Sequence, residues 1–245
     1  MVLGDHKEMI DAVEYAIDSG INYFDTARMY GDGLSEIHTG AVLRELDKTD
    51  LIIGTKVRIA GDEFKDISRT IENQIDNSLK RLGIDTIDIV YTHNTIGAER
   101  NVSSGTLSVE DLSSIVQVFE SAVASGKLQY WGFNGLGQTD SVKEALRRYS
   151  PSGIHTCYNM LNPTSGYGLP KTFPYQNYEE LMTLASEDGI GTVGIRILAG
   201  GALSGSLDRH PIAQQNVAPI ATSSTFREDV SRTPVFEVLV KEGFV

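Results

Sequence analysis

Four side chains of different acid–base character stand at repeated places in this chain: Asp25, Tyr30, Lys56 and His93. Ile21-Asn22-Tyr23-Phe24 leads into Asp25, and Tyr30 lies on the segment that leaves it. Leu51-Ile52-Ile53-Gly54-Thr55 ends in Lys56, and Ile87-Asp88-Ile89-Val90-Tyr91-Thr92 ends in His93. Apolar runs of this length and composition read as strands. In a parallel barrel the carboxyl ends of the strands meet at one face, where such folds do their chemistry. A carboxylate, an ammonium, an imidazole and a phenol gathered there are equipment for moving a proton. A metal centre built from Asp25, His93 and His155 finds no support, because their spacing matches no recognised zinc motif.

Helical patterns separate these runs. Met9, Ile10, Val13 and Ile17 share one helical face, and Gly20 follows the helix end. A second helix is expected from Ser35 to Leu46. Asp66 caps a third, with an apolar stripe of Ile67, Ile71, Ile75, Leu79 and Leu82 closed by Gly83. Further strands are expected at Leu128–Phe133, Ile154–Tyr158 and Ile190–Ile197. Helices are expected at Val109–Ala124, Ser141–Tyr149 and Tyr178–Glu187, and a last one ending near Glu242. The polar stretch from Asn94 to Ser108 shows no periodicity and reads as a binding loop or lid. Alternating strands and helices predict a parallel sheet with crossovers, in one domain over 1–245.

The remaining totals narrow the class. The formal net charge is −12, which argues against nucleic acid or an anionic membrane as a general partner. No apolar run approaches the length of a bilayer span. The N-terminal residues do not read as a secretory signal, and one cysteine, Cys157, fits a reducing cytosol.

The stretches FDTARMYG, GTKV, IDIVYTHN, GKLQYWGFNG, CYNMLNP and GIGTVGIRILAGGALSG, in this order and spacing, resemble the aldo-keto reductases over nearly the whole chain. The resemblance implies a (β/α)8 barrel and NADP(H)-dependent interconversion of a carbonyl, or a sugar, and its alcohol. About six strands are visible, so the first and last of the eight are expected to be missing, leaving two sheet edges unpaired. Carried over by position, Tyr30 is the proton donor, and Asp25, Lys56 and His93 complete a tetrad. Free tyrosine has a pKa of about 10, too high for efficient proton exchange at neutral pH, and a neighbouring ammonium favours the phenolate. Lys56 supplies that charge, Asp25 holds Lys56, and His93 orients the carbonyl oxygen. Glu36 is read as favouring a helix N-terminus through the dipole.

The cofactor residues implied by the same carry-over are Asp25, Asn134, Gly135, His155, Ile195, Arg196, Leu198, Gly200 and Gly201. Several depart from the family's pattern. Asn134-Gly135 stands for Ser-Asn, His155 for Gln, and Ile195 for an aromatic that stacks on the nicotinamide. Arg196 suits a phosphate or a carboxylate. Tyr167 and Phe173 are candidate pocket walls. A binding or regulatory protein on the same barrel, without turnover, is the competing reading.

Overall fold

The computed structural model describes residues 4–46 and 50–243. Its elements form two compact units, Met1–Ile154 and His155–Val245.

In the first unit, helix α1 (His6–Asp18) starts where the Asp5 carboxylate accepts the Lys7 N–H at 2.9 Å. Its buried Met9 and Val13 pack with Val42. Strand β1 (Tyr23–Asp25) follows, then α2 (Leu34–Leu46), β2 (Ile52–Val57), α3 (Ile67–Leu82) and β3 (Ile87–Thr92). Two short strands, β4 (Ile96–Gly97) and β5 (Leu107–Ser108), precede α4 (Asp111–Ala124), β6 (Leu128–Asn134) and α5 (Thr139–Tyr149). Helix α3 carries the expected signals. Asp66 accepts the Arg69 N–H at 3.1 Å, Gly83 closes the helix at φ 68°, and Ile71, Ile75 and Leu82 are buried.

Strands β1, β2, β3 and β6 pair in parallel, with Asp25 opposite Gly54, Lys56 opposite Tyr91, and Tyr91 opposite Gly132. Side chains alternate along a strand. One face therefore presents Tyr23 and Asp25, then Gly54 and Lys56, then Tyr91, then Gly132 and Asn134. The glycines make room for the tyrosines. A Cβ on Gly54 would lie 2.4 Å from the Tyr23 hydroxyl, and one on Gly132 would lie 2.6 Å from ring carbons of Tyr91.

The second unit holds most of β7 (Gly153–Cys157), then α6 (Leu181–Glu187), β8 (Gly191–Ile195), α7 (Phe226–Ser231) and α8 (Glu237–Lys241). Leu161, Ala199 and Ala202 are its buried cluster, with Phe226, Val230 and Phe236 packed on them. The class is α/β, a parallel half-barrel of six strands, and among the described residues the barrel does not close.

Three expectations change in detail. The 94–108 stretch, read as an aperiodic binding loop or lid, contains the short strands β4 and β5 and is anchored. Asn94 donates to Ile59 O at 2.8 Å and to Gly105 O at 2.6 Å, while Ile96 and Leu107 are buried. Helix α6 starts at Leu181 rather than Tyr178, because Glu179 and Glu180 sit at φ 50° and 56°. The last helix is broken into α7, a 3-10 turn at Thr233–Phe236 and α8; Pro234, which lacks an N–H, stands at the break.

Gly40 tests the packing of α2 on α3. Alanine there gains about 1 kcal/mol of helix propensity. Its Cβ would lie 2.0 Å from Leu82 O, which the backbone has no room to absorb. Gly40→Ala should therefore lower stability by about 1–3 kcal/mol in urea unfolding despite the propensity gain. A stabilised variant would contradict the close approach.

Candidate active site

Strand register delivers three of the four titratable side chains. Asp25 closes β1, Lys56 lies near the end of β2, and His93 directly follows β3, its N–H donating to Val57 O at 2.7 Å. Lys56 is 3% exposed. Its Nζ donates to Asp25 Oδ2 at 2.5 Å and to Thr26 O at 2.8 Å. Tyr30 is not on a strand. It is held on the β1–α2 segment, where its N–H donates to Ala27 O at 3.0 Å and its O accepts the Ser35 N–H at 3.2 Å. The Lys56 ammonium lies 4.9 Å from the Tyr30 ring centroid. The His93 ring meets the Tyr30 ring edge-on at 5.7 Å between centroids. The four side chains thus form one cluster, with Tyr30 at its solvent-facing rim.

Burial sets the charge states. It pushes the Asp25 carboxyl above the usual carboxylate range, and the Lys56 ammonium draws it part of the way back. Burial, then the Lys56 and Arg58 cations, lower His93 to about 4, so its imidazole is neutral at pH 7. The His93 Nδ1 is buried and has no hydrogen-bond partner among the described residues. Beneath the cluster, burial raises the Tyr23 and Tyr91 phenols, which stay protonated.

Glu36 does more than favour a helix start. It is fully buried in the first turn of α2, accepting from Thr55 Oγ1 at 2.6 Å and from Arg81 Nε at 2.6 Å. Its partners stand 19 and 45 residues away, so no local pattern announces them.

The residues expected to hold a cofactor fall into two sets. In the first unit, Asn134 and Gly135 are buried. Asn134 spends bonds internally, its Nδ2 donating to His93 O at 3.2 Å and its Oδ1 accepting the Leu136 N–H at 3.3 Å. In the second unit, His155 is buried, Ile195 is half-buried at the end of β8, and Leu198 is exposed. Arg196, Leu198, Gly200 and Gly201 line a cavity of about 400 Å³, together with Arg209. Gly200 and Gly201 adopt φ 69° and 103°. Their missing Cβ atoms would meet the Arg196 and Arg209 guanidiniums at 2.8 and 3.1 Å. Two guanidiniums over a left-handed glycine pair suit a diphosphate, so these residues fit the anionic part of a dinucleotide. Arg209 was not foreseen, since it sits in a polar stretch without periodicity. Leu198 also lines an apolar cavity of about 920 Å³ with Met160, Leu203 and Phe236. Tyr167 is exposed, and Phe173 packs against Tyr175 at 5.5 Å. No helix among the described residues is long and apolar enough to cross a membrane, and no group of side chains there could hold a metal ion.

Comparison with known proteins finds the model of the aldo/keto reductase family matching residues 4–234. L-galactose dehydrogenase of Arabidopsis thaliana is 26% identical over 212 residues, 85% of this chain and 61% of that protein. L-glyceraldehyde 3-phosphate reductase of Escherichia coli K12 is 31% identical over 203 residues, 78% of this chain and 52% of that protein. An Arabidopsis protein named "Probable voltage-gated potassium channel subunit beta" is 25% identical over 214 residues, 85% of this chain and 60% of its own length. The chain thus spans between 52% and 61% of such relatives. Among solved structures, the holo form of an aldo-keto reductase from Bacillus halodurans superposes with TM-score 0.65 at 22% identity, covering 93% of this chain and 67% of that one. An aldo-keto reductase from Klebsiella pneumoniae in complex with NADPH gives 0.60 at 23%, covering 80% and 60%.

The lowered His93 has a consequence for stability. Folded His93 takes its proton near pH 4, whereas the unfolded chain takes it near 6.5. Between these values the unfolded state binds more protons, so this group makes stability rise with pH and fall on acidification. Asp25, raised on folding, works in the opposite sense. Urea unfolding from about pH 4 to about pH 7 should show His93→Asn losing about 1–3 kcal/mol of the wild-type rise. An unchanged pH slope in that variant would show that His93 is not the group concerned.

Proposed function

Because this chain belongs to the aldo/keto reductase family, we propose that it reduces the carbonyl of a small aldehyde, ketone or sugar, or oxidises the matching alcohol, with NADP(H) and with Tyr30 as the proton donor. The observation that carries this reading is the Lys56 ammonium, buried beside Asp25 and 4.9 Å from the Tyr30 ring, with neutral His93 packed edge-on to the same ring.

NADPH, when bound, supplies a hydride to the carbonyl carbon. The residues of this chain handle the oxygen. As the C–H bond forms, the carbonyl π pair moves onto oxygen, and the Tyr30 O–H delivers the proton that completes the alcohol. The Lys56 cation stabilises the negative charge left on the phenol oxygen. Asp25 and Thr26 O fix the ammonium, so little reorganisation is required during the transfer. His93, neutral at pH 7, can donate one hydrogen bond to the carbonyl oxygen without surrendering its charge state. Asn134 ties the backbone of His93 to the start of the following loop and so sets the position of the imidazole. In the second unit, Gly200, Gly201, Arg196 and Arg209 are the candidates for the diphosphate.

A second reading, cofactor binding without turnover, draws on the relatives named as channel subunits. One experiment separates the two. NADPH oxidation is followed by absorbance with a small aldehyde, and binding is followed by nicotinamide fluorescence. The enzyme reading expects turnover by the wild type, a fall of at least about 100-fold in kcat for Tyr30→Phe, and retained NADPH binding in that variant. Equal rates for both proteins would remove Tyr30 as the acid. Binding with constant absorbance across carbonyls would favour the second reading.

A further inference from the structure

Arg58 lies two residues beyond Lys56, and the alternation of an extended chain returns it to the side that Lys56 occupies. Its backbone is fixed. The Arg58 N–H donates to Gln74 Oε1 at 2.9 Å, and Gln74 Nε2 donates to Arg58 O at 2.7 Å. Gln74 is itself buried on α3. The residue before Arg58, Val57, receives the His93 N–H. The backbone of Arg58 therefore adjoins the strand end that holds His93, and its cation is among the charges that lower the His93 imidazole.

The guanidinium is also packed. A Cβ on Gly105 would lie 3.3 Å from Arg58 Nη2, so the fork rests against backbone of the 94–108 segment. Asn94 pins that segment through Gly105 O.

What Arg58 lacks is an anion. The chain carries 33 acidic residues against 21 basic ones. Yet among the described residues no carboxylate or other acceptor pairs with this guanidinium. Arg69, Arg147 and Arg227 also lack side-chain partners among the described residues, but they are exposed to water. Arg58 is half-buried. A partly desolvated guanidinium without a counter-ion is costly unless something pairs with it in use.

We propose that Arg58 is the specificity-determining residue of this site, and that the site takes a carbonyl or hydroxy compound bearing a carboxylate or phosphate group, which the Arg58 fork grips beside His93. The inference rests on the reductase reading above. A planar guanidinium matches either anion through two parallel N–H···O bonds, which a lysine would not reproduce.

The test compares aldehydes with and without an anionic group: succinic semialdehyde against butanal, and glycolaldehyde phosphate against glycolaldehyde, each with NADPH. The wild type should favour the anionic member of at least one pair by about tenfold or more in kcat/KM, and the responding pair identifies carboxylate or phosphate. Arg58→Met should bring that ratio to within about threefold of one, and Arg58→Lys should restore part of it. A wild-type ratio near one for both pairs, or a ratio that survives Arg58→Met, would overturn the inference while leaving the reductase reading intact. A binding arm works without turnover. Succinate and inorganic phosphate are titrated while the His93 imidazole is followed by NMR. At least one should shift His93 in the wild type at millimolar concentration and not in Arg58→Met. If no aldehyde is reduced, the reductase reading falls alone and this titration decides for the anion site. An unmoved His93 would then overturn it.

Discussion

An ammonium buried to 3% exposure is the constraint around which the site is built. Removing a lysine cation from water costs several kcal/mol unless charge and hydrogen bonds replace what water gave. Here Asp25 gives the charge and Thr26 O gives a further acceptor. Both come from β1 and its exit, while Lys56 comes from β2. The pair therefore exists only when those two strands align with Asp25 opposite Gly54. A slip of one residue would turn Lys56 to the opposite face, where α2 and α3 pack. The same register sets Gly54 against Tyr23, whose buried phenol fills the space below.

The charge would be of no use without a phenol held near it, and Tyr30 has no strand to hold it. Its segment is tied at several points. Thr26 Oγ1 donates to Ser35 Oγ at 2.8 Å, and the Ser35 N–H donates to Tyr30 O. One residue further on, buried Glu36 binds Thr55 on β2 and Arg81 on α3. The stem of Arg81 lies against Gly33, where a Cβ would stand 2.8 Å from Arg81 Cδ. The loop that carries the acid is thus fastened to the strand that carries the ammonium. Replacing Glu36 would leave Arg81 without its carboxylate partner and Thr55 without an acceptor in the interior.

Much of this was legible in the residue order. Apolar runs ending in Asp25, Lys56 and His93 announce parallel strands, because a strand buried on both faces must be apolar throughout. Asp66 and Gly83 announce the ends of α3 because capping is local chemistry. What was not legible depends on residues far apart in sequence. Glu36 looks like an ordinary first-turn acid until α3 brings Arg81 to it. The 94–108 segment looks unstructured because its order comes from Asn94 binding Ile59 and Gly105, not from its own periodicity. Arg209 joins Gly200 and Gly201 only through folding of a polar stretch, where it donates to Gly200 O at 2.8 Å. Arg58 is legible in neither way, since its significance is a missing partner.

The central claim is that Asp25 and Lys56 act as one unit, in which a carboxylate at the solvent edge sustains an ammonium that water barely reaches. A double-mutant cycle measures this directly, with urea unfolding at neutral pH of the wild type, Asp25→Asn, Lys56→Met and the double variant. Either single change strands a buried charge or its partner, whereas the double change removes both, so a coupling energy of about 2 kcal/mol is expected. Single effects that add to the double effect within about 0.5 kcal/mol would contradict the account.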